Sequence, residues 1–396
     1  MSNFSSSRVA QLDGLRGVAV ALVVLFHYGS TTQGSRFLWP IVSRGWVGVD
    51  LFFVMSGFLI GGIVIANRDA TNFYSVFYLR RFLRIFPLYY FLLAVVAISV
   101  WAGWMPHPGH DKLILYFVYL QNVAVALTHD YGLTWLQVTW SLAVEEHFYL
   151  ILPVLVVLTP PKFLSRVLVA GILIAILSRI FGYVIPVSYP RDFARFFTIC
   201  RIDDLFYGVF LAVIVRSEKM AAGIQDNRAY FYFGAAFFAA GFLAASHFDY
   251  RFPNEILLGT VGLSLLGPLS LCIVVLAVMH EGSWVSRVMA NRFLGWVGKR
   301  TYAIYLFHIP AISLLGAAFR YYGFPHFGIV LALSALCLTL GAASLSWWLI
   351  EAPLIKHGHK HKYGSGAKPL VLSPIAREEP RGVPIELSQE MNLLSP

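Results

Sequence analysis

Charge is what this chain has little of. Only 13% of its 396 residues are Asp, Glu, Lys or Arg, about half the share found in soluble domains. That shortage argues against an ordinary globular enzyme of this length. Cysteine is scarce as well. Cys200, Cys272 and Cys337 stand far apart, which suggests neither a disulfide framework nor a metal cluster. No metal site and no permanently bound cofactor are expected. A cleavable signal peptide is missing too. The first apolar run carries Arg16 and His27 and is followed by no small-residue cleavage site. It reads as a membrane span. No internal repeat of the kind that marks many transporters is evident.

Apolar side chains fill the space that charge leaves. Hydrophobic residues reach 58% and aromatics 16%, and the mean hydropathy is +0.70. A span needs roughly 20 mostly apolar residues. Ten stretches qualify: 12–29, 46–66, 82–104, 142–159, 165–185, 203–216, 229–246, 256–279, 300–319 and 327–350. The fold class is therefore all-α, a polytopic transmembrane helical bundle of about ten spans lying in a lipid bilayer. Segment 113–127 is apolar but broken by Gln121 and Asn122. It is expected to be interfacial or re-entrant. With that choice, and with both termini cytoplasmic, inside Lys and Arg residues outnumber outside ones by more than two to one, as the positive-inside rule requires. The net charge of +10 is accordingly assigned to membrane orientation and not to nucleic acid. Residues 1–353 form the membrane domain. Residues 354–396, polar and rich in Pro and Gly, form a basic tail expected to be disordered.

Ionisable groups inside spans cost about 2.5–3.5 kcal/mol each on the insertion scale, so each needs a reason. Arg16 and His27 are eleven residues apart and share a helix face. In this topology His27, Asp50, Glu145 and Glu146 come out at similar depth, near the outer side. Ser141, one turn before Glu145, could orient it. Adjacent Glu145 and Glu146 cannot both face one point, so one is catalytic and the other structural. A second layer lies at the cytoplasmic side. Arg80, Arg81 and Arg84 cluster on one side of a helix and suit phosphate, because guanidinium forks bind it bidentately. The bland alternative for these three is an ordinary positive-inside anchor. His308 lies in the inner half of its span and could contact a polar ligand. Asp203 and Asp204 are expected in a local salt bridge with Arg201. Glu351 is expected near a cytoplasmic arginine.

These residues sit in LDGLRGVAVALVVLFHYG, GVDLFFVMSGFLI, RRFLRIFPLYY, WSLAVEEHFYL, RIDDLFYGVFLA, GKRTYAIYLFHIP and a closing LIEAPL. In this order they resemble the acyltransferase-3 family of membrane O-acyltransferases over residues 11–353. The resemblance is to the stand-alone type without a C-terminal SGNH hydrolase domain. It implies transfer of an acyl group, acetyl by default, from acyl-CoA to a hydroxyl of an extracytoplasmic carbohydrate. Lipopolysaccharide or exopolysaccharide would be such an acceptor, and a bacterial inner membrane the location. The family's histidine falls on His27, its paired arginine on Arg16, its RxxR pair on Arg81 and Arg84, and its glutamate on Glu145. On this reading His27 is the general base, oriented by Glu145, with Asp50 beside them. Arg80, Arg81, Arg84 and His308 contact the donor, and Arg16 lines the path between the two layers. Ser56 and Ser141 are possible acyl carriers. Acceptor choice is expected in loops 30–45, 104–140 and 186–202. The rival is a proton-coupled transporter or flippase of a small polar or lipid-linked substrate, since buried His, Glu and Arg also build proton relays.

Overall fold

The computed structural model describes residues 6–29, 42–105, 110–185, 187–251, 256–324 and 328–368. Among these residues the fold is all helix, with no strand. Among the described residues nine helical stretches are long and apolar enough to cross a membrane. They include α1 (Ser6–Gly29), α2 (Gly48–Asn67) and α3 (Phe73–Trp101). The hairpin α4 (His110–Phe117) and α5 (Gln121–Thr128) precedes α6 (Trp140–Leu158) and α7 (Pro161–Val184). Short α8 (Pro190–Phe196) leads into α9 (Thr198–Ile214) and α10 (Glu218–Asp226). The chain then makes α11 (Arg228–Arg251), α12 (Leu263–Val278), α13 (Trp284–Met289) and α14 (Arg292–Lys299). It closes with α15 (Thr301–Tyr321), α16 (Gly328–Ser346) and α17 (Ala352–Lys360).

The expected span 203–216 is α9. Its 17 residues reach about 25 Å, just short of the other nine. It is held at the centre of the bundle, parallel to α2. Arg201 meets Asp50, Leu205 meets Gly57, Val209 meets Gly61, and Arg216 donates to Gly62 O at 2.8 Å. The two backbones touch. A Cβ on Gly57 would lie 1.9 Å from Leu205 O, and one on Gly208 would lie 2.1 Å from Val54 O. Close approach through small residues is how membrane helices gain packing energy when lipid is as apolar as they are.

Segment 113–127 does not cross. It breaks into two helices of 8 residues each, about 12 Å long, joined at Tyr119 in the left-handed conformation, φ 57°. Tyr89 and Tyr90 of α3 donate to Tyr116 O and Phe117 O at 2.9 and 2.8 Å. The Tyr119 ring stacks on Tyr89 at 4.6 Å. Those contacts lie twelve residues before the end of α3, about 18 Å from it, so the hairpin is re-entrant. The backbone carbonyls exposed at its turn are satisfied by tyrosine hydroxyls, as hydrocarbon demands.

Two expectations need correction. Helix α3 starts at Phe73, nine residues before the expected start of span 82–104. Arg80 and Arg81, expected just before the span, thus lie inside the helix together with Arg84, which was expected in it. The polar segment after Pro353 is ordered as far as Lys368. It folds back on loop 66–73, where Gly364 N donates to Asn72 Oδ1 at 2.7 Å and Lys368 N to Ala66 O at 2.8 Å. Tyr363 stacks on Phe73 at 6.4 Å. Backbone hydrogen bonds and one aromatic contact supply the order that its composition does not. Residues 369–396 lie outside the described residues.

The glycine contact gives a direct test. Gly208→Val places two methyl groups against the α2 backbone. It should destabilise the detergent-solubilised protein by about 1–3 kcal/mol, the usual cost of overpacking, read as a lower midpoint in thermal unfolding followed by tryptophan fluorescence.

Candidate active site

A cavity of about 130 Å³ enters the bundle from the end where α1 begins, here called the arginine end. Arg16 from α1, Arg81 and Arg84 from α3, and Lys299 line it, with Glu145 and Glu351 as the facing carboxylates. Four cations therefore face two anions, which leaves an excess of positive charge for an anionic ligand. Arg16 also donates to Asp13 at 3.2 Å. Glu351 sits in a π-helical turn, Trp347–Glu351, between α16 and α17. Such turns push a residue out of helical register and are frequent at functional sites. Deeper in, the wall becomes aromatic and hydroxylic, with Phe52, Phe53, Tyr302 and Tyr305 beside Ser56 and Ser141. Ser141 Oγ meets Tyr305 Oη at 2.7 Å, and Ser56 Oγ meets Tyr149 Oη at 3.0 Å.

Beyond Tyr305, one helical turn further along α15, lies His308. It is fully buried, and its Nε2 is 3.2 Å from His27 Nδ1. Carbonyl oxygens fix both tautomers of this pair. His308 Nδ1 is 2.7 Å from Tyr305 O, and a carbonyl can only accept, so Nδ1 carries the proton and Nε2 the lone pair. His27 Nδ1 therefore faces two acceptors, His308 Nε2 and Val23 O at 2.9 Å. It must donate, which places the His27 lone pair on Nε2. Tyr28 Oη donates to His308 O at 2.8 Å and meets Thr339 Oγ1 at 2.8 Å, locking α15 against α1 and α16.

This arrangement differs from the one expected from sequence. His27 is partnered by His308 and, among the described residues, makes no hydrogen bond to Glu145. Glu145 belongs with Arg16 and the α3 arginines on the cavity wall, and Glu146 is not on that wall. His308, expected against the donor, stands behind His27. Arg80 separates from its two neighbours, donating to His361 O at 2.6 Å and lying 4.9 Å from the Tyr363 ring. Asp50 is not on the cavity wall either. It belongs to a buried ionic cluster in which Arg201 bridges Asp50 and Asp204, the latter at 3.3 Å. Arg179 completes it with a bidentate pair to Asp203 at 3.0 and 2.6 Å. The expected Arg201 salt bridge is thus present and reaches further than its own helix. Depth alone put Asp50 level with Glu145, and depth does not say which neighbour a helix face meets.

Tyr302, Tyr305 and Lys299 were not singled out from sequence. The signal was available for the tyrosines. Tyr302, Tyr305 and His308 recur every three residues along TYAIYLFH, a polar stripe on an apolar helix.

The family follows from the chain's similarities. Residues 9–351 match the acyltransferase domain of the acyltransferase-3 family. The chain belongs to that family. It is 30% identical over 387 residues to the peptidoglycan O-acetyltransferase OatA of Listeria monocytogenes, covering 90% of this chain and 57% of that one. A candidate O-acetyltransferase of Staphylococcus aureus is 28% identical, over 88% of this chain and 58% of its own length. A candidate peptidoglycan O-acetyltransferase of Bacillus subtilis is 28% identical, over 88% and 55%. The chain thus spans a little over half the length of these relatives. No solved structure matches it.

The ionic cluster can be tested apart from the cavity. Asp50→Ala leaves Arg201 short of a buried carboxylate and should destabilise the fold by about 3–5 kcal/mol. The double variant Asp50→Ala with Arg201→Met should recover part of that loss, as read by thermal unfolding of the purified protein.

Proposed function

We infer that the protein moves an acyl group, acetyl by default, from acyl-CoA to a hydroxyl of an extracytoplasmic glycan. The observation that supports this is the adjacency of a charged cavity and a histidine pair that lies just behind its wall. A cavity with excess positive charge at the arginine end runs to Tyr305 and Ser141, and Tyr305 adjoins a histidine pair with one defined lone pair. The positive-inside bias makes the arginine end cytoplasmic, with both termini on that side of a bacterial inner membrane. Acyl-CoA is made in the cytoplasm, so its phosphates would meet Arg81, Arg84 and Lys299. Arg16 would stand deeper along the same wall. Glu145 would accept from the amide N–H groups of the pantetheine arm, which carries the thioester inward.

At the inner end the acceptor hydroxyl gives its proton to His27 Nε2. The oxygen attacks the thioester carbonyl carbon, the C–S bond breaks and a C–O ester forms. The proton returns from His27 to the CoA sulfur, so CoA leaves as the thiol. His308 would stabilise the transient imidazolium through His27 Nδ1–H, the place that a carboxylate holds in a hydrolase triad. A neutral partner suits hydrocarbon, where a resting ion pair costs more to bury. The names of the Listeria and Bacillus relatives favour a cell-wall glycan such as peptidoglycan as acceptor.

The test is transfer itself. Purified protein is incubated with radiolabelled acetyl-CoA, with and without a cell-wall glycan fraction. Label should pass to the glycan with wild type and fall at least a hundredfold with His27→Ala, the low end of what a general base contributes. Arg81→Ala with Arg84→Ala should raise the donor KM about tenfold or more while changing kcat less. Label retained on the protein without acceptor would mean relay through a residue such as Ser141. Failure of CoA release from folded protein would overturn the reading in favour of a transporter.

A further inference from the structure

The face opposite the arginine end carries a second built cluster that the proposed chemistry does not use. The loop after α5 and helix α8 meet there. His129, the residue that ends α5, is held in the left-handed conformation at φ 58°. Its Nδ1 is hydrogen-bonded to Asp192 Oδ2, and Tyr131 Oη donates to Asp192 Oδ1 at 2.8 Å. The Asp192 side chain is 2% exposed while that of His129 is 55% exposed. A buried carboxylate thus holds an outward-facing imidazole by one nitrogen, and its second oxygen is occupied as well. Burial, together with Asp192, pushes the Tyr131 hydroxyl up to about 12, so Tyr131 stays a donor to that carboxylate throughout the physiological range. The His129 ring is stacked on the exposed ring of Tyr189, with centroids 5.0 Å apart and planes at 16°.

Such a structure has a cost. A non-glycine residue in the left-handed region and a buried carboxylate both need compensation. A fold under no demand at this surface could do without them. The chemistry it offers is specific. With Nδ1 committed to a carboxylate, His129 is left with Nε2 as a fixed polar atom for a sugar hydroxyl. Beside it Tyr189 offers an aromatic face. Sugars bind proteins through this combination, with the C–H face of the ring against an aromatic side chain and hydroxyls to fixed polar atoms. The cluster is also connected to the cavity. Tyr131 contacts Phe196 at 5.7 Å, Phe196 contacts Trp140 at 5.0 Å, and Trp140 contacts Phe53 on the cavity wall at 6.2 Å between centroids. Three ring contacts separate the two places, too far for His129 to act on the thioester itself.

We propose that His129, oriented by Asp192, and Tyr189 form a glycan-binding subsite that holds the acceptor chain at a sugar remote from the acetylated hydroxyl. The proposal rests on the acyltransferase reading for its purpose but not for its test. Asp192 is a positioning residue, acting through His129. Two of the three loops expected to select the acceptor, 104–140 and 186–202, contribute to it. Residues 30–41 of the third lie outside the described residues.

Binding of N-acetylglucosamine oligomers of one to five units is measured without donor, on protein in lipid nanodiscs. The pentamer should bind more tightly than the monomer. His129→Asn keeps a residue that tolerates positive φ and should weaken pentamer binding about tenfold, as should Tyr189→Ala. Asp192→Asn should weaken it less. Thr128→Ala, next to the cluster but facing its own helix through Ala124 O, should leave it unchanged. In the transfer assay His129→Asn should raise KM for the pentamer with little change in kcat, and leave KM for the monomer alone. Absent pentamer binding by wild type, or binding insensitive to His129 and Tyr189, overturns the subsite. Pentamer binding with this sensitivity but no acyl transfer overturns the enzyme reading and keeps the subsite.

Discussion

Hydrocarbon does not tolerate an unpaired guanidinium, and the architecture is organised around where the intramembrane arginines find partners. Arg179 and Arg201 find them among three aspartates, and in doing so tie α7, α9 and α2 into one block. Arg16, Arg81 and Arg84 meet a cavity in which cations outnumber carboxylates. The first group is charge-paired by protein, two arginines against three aspartates. The second is only partly neutralised by protein, so the remaining charge is available to a ligand. The same residue type thereby serves as a structural clamp in one half of the bundle and lines an open cavity in the other. Bringing α2 and α9 into backbone contact at Gly57 and Gly208 keeps the clamp in register with the cavity wall that α2 also supplies.

The histidine pair illustrates a second economy. A carboxylate behind His27 would be a standing negative charge near the centre of the protein. A neutral imidazole behind it carries no charge until the proton moves. The two tautomers are set by main-chain oxygens of α1 and α15, which no side-chain substitution elsewhere can remove. Orientation of His27 is thus built into helical backbone.

Helix number and the re-entrant hairpin were legible in the sequence because hydropathy and charge asymmetry are properties of whole segments. The residues at the site were legible one by one, but their pairing was not. Depth along a span follows from counting at a fixed rise per residue, and that count placed His27 level with Glu145. Rotation about the helix axis and the identity of the facing helix depend on packing. Those decided that His27 meets α15, that Glu145 meets the arginines and that Asp50 meets α9. The order in residues 354–368 was illegible for a related reason. Composition measures what a segment can bury by itself, whereas this one is ordered by main-chain bonds to a loop nearly 300 positions earlier in the chain.

The left-handed turn at Tyr119 bears on biogenesis. A nascent chain passes through the insertion machinery before its partners exist, and the machinery scores each apolar segment alone. Here α4 and α5 must be allowed to leave without being committed as a span, or every later helix would be installed upside down. Gln121 and Asn122 lower the apolarity of the segment as it is presented alone. The hairpin can then settle against Tyr89 and Tyr90 after synthesis. Its polar residues therefore act before folding as a topological signal, and afterwards as hydrogen-bonding groups through Gln121 to Thr139 and Asn122 to Thr198.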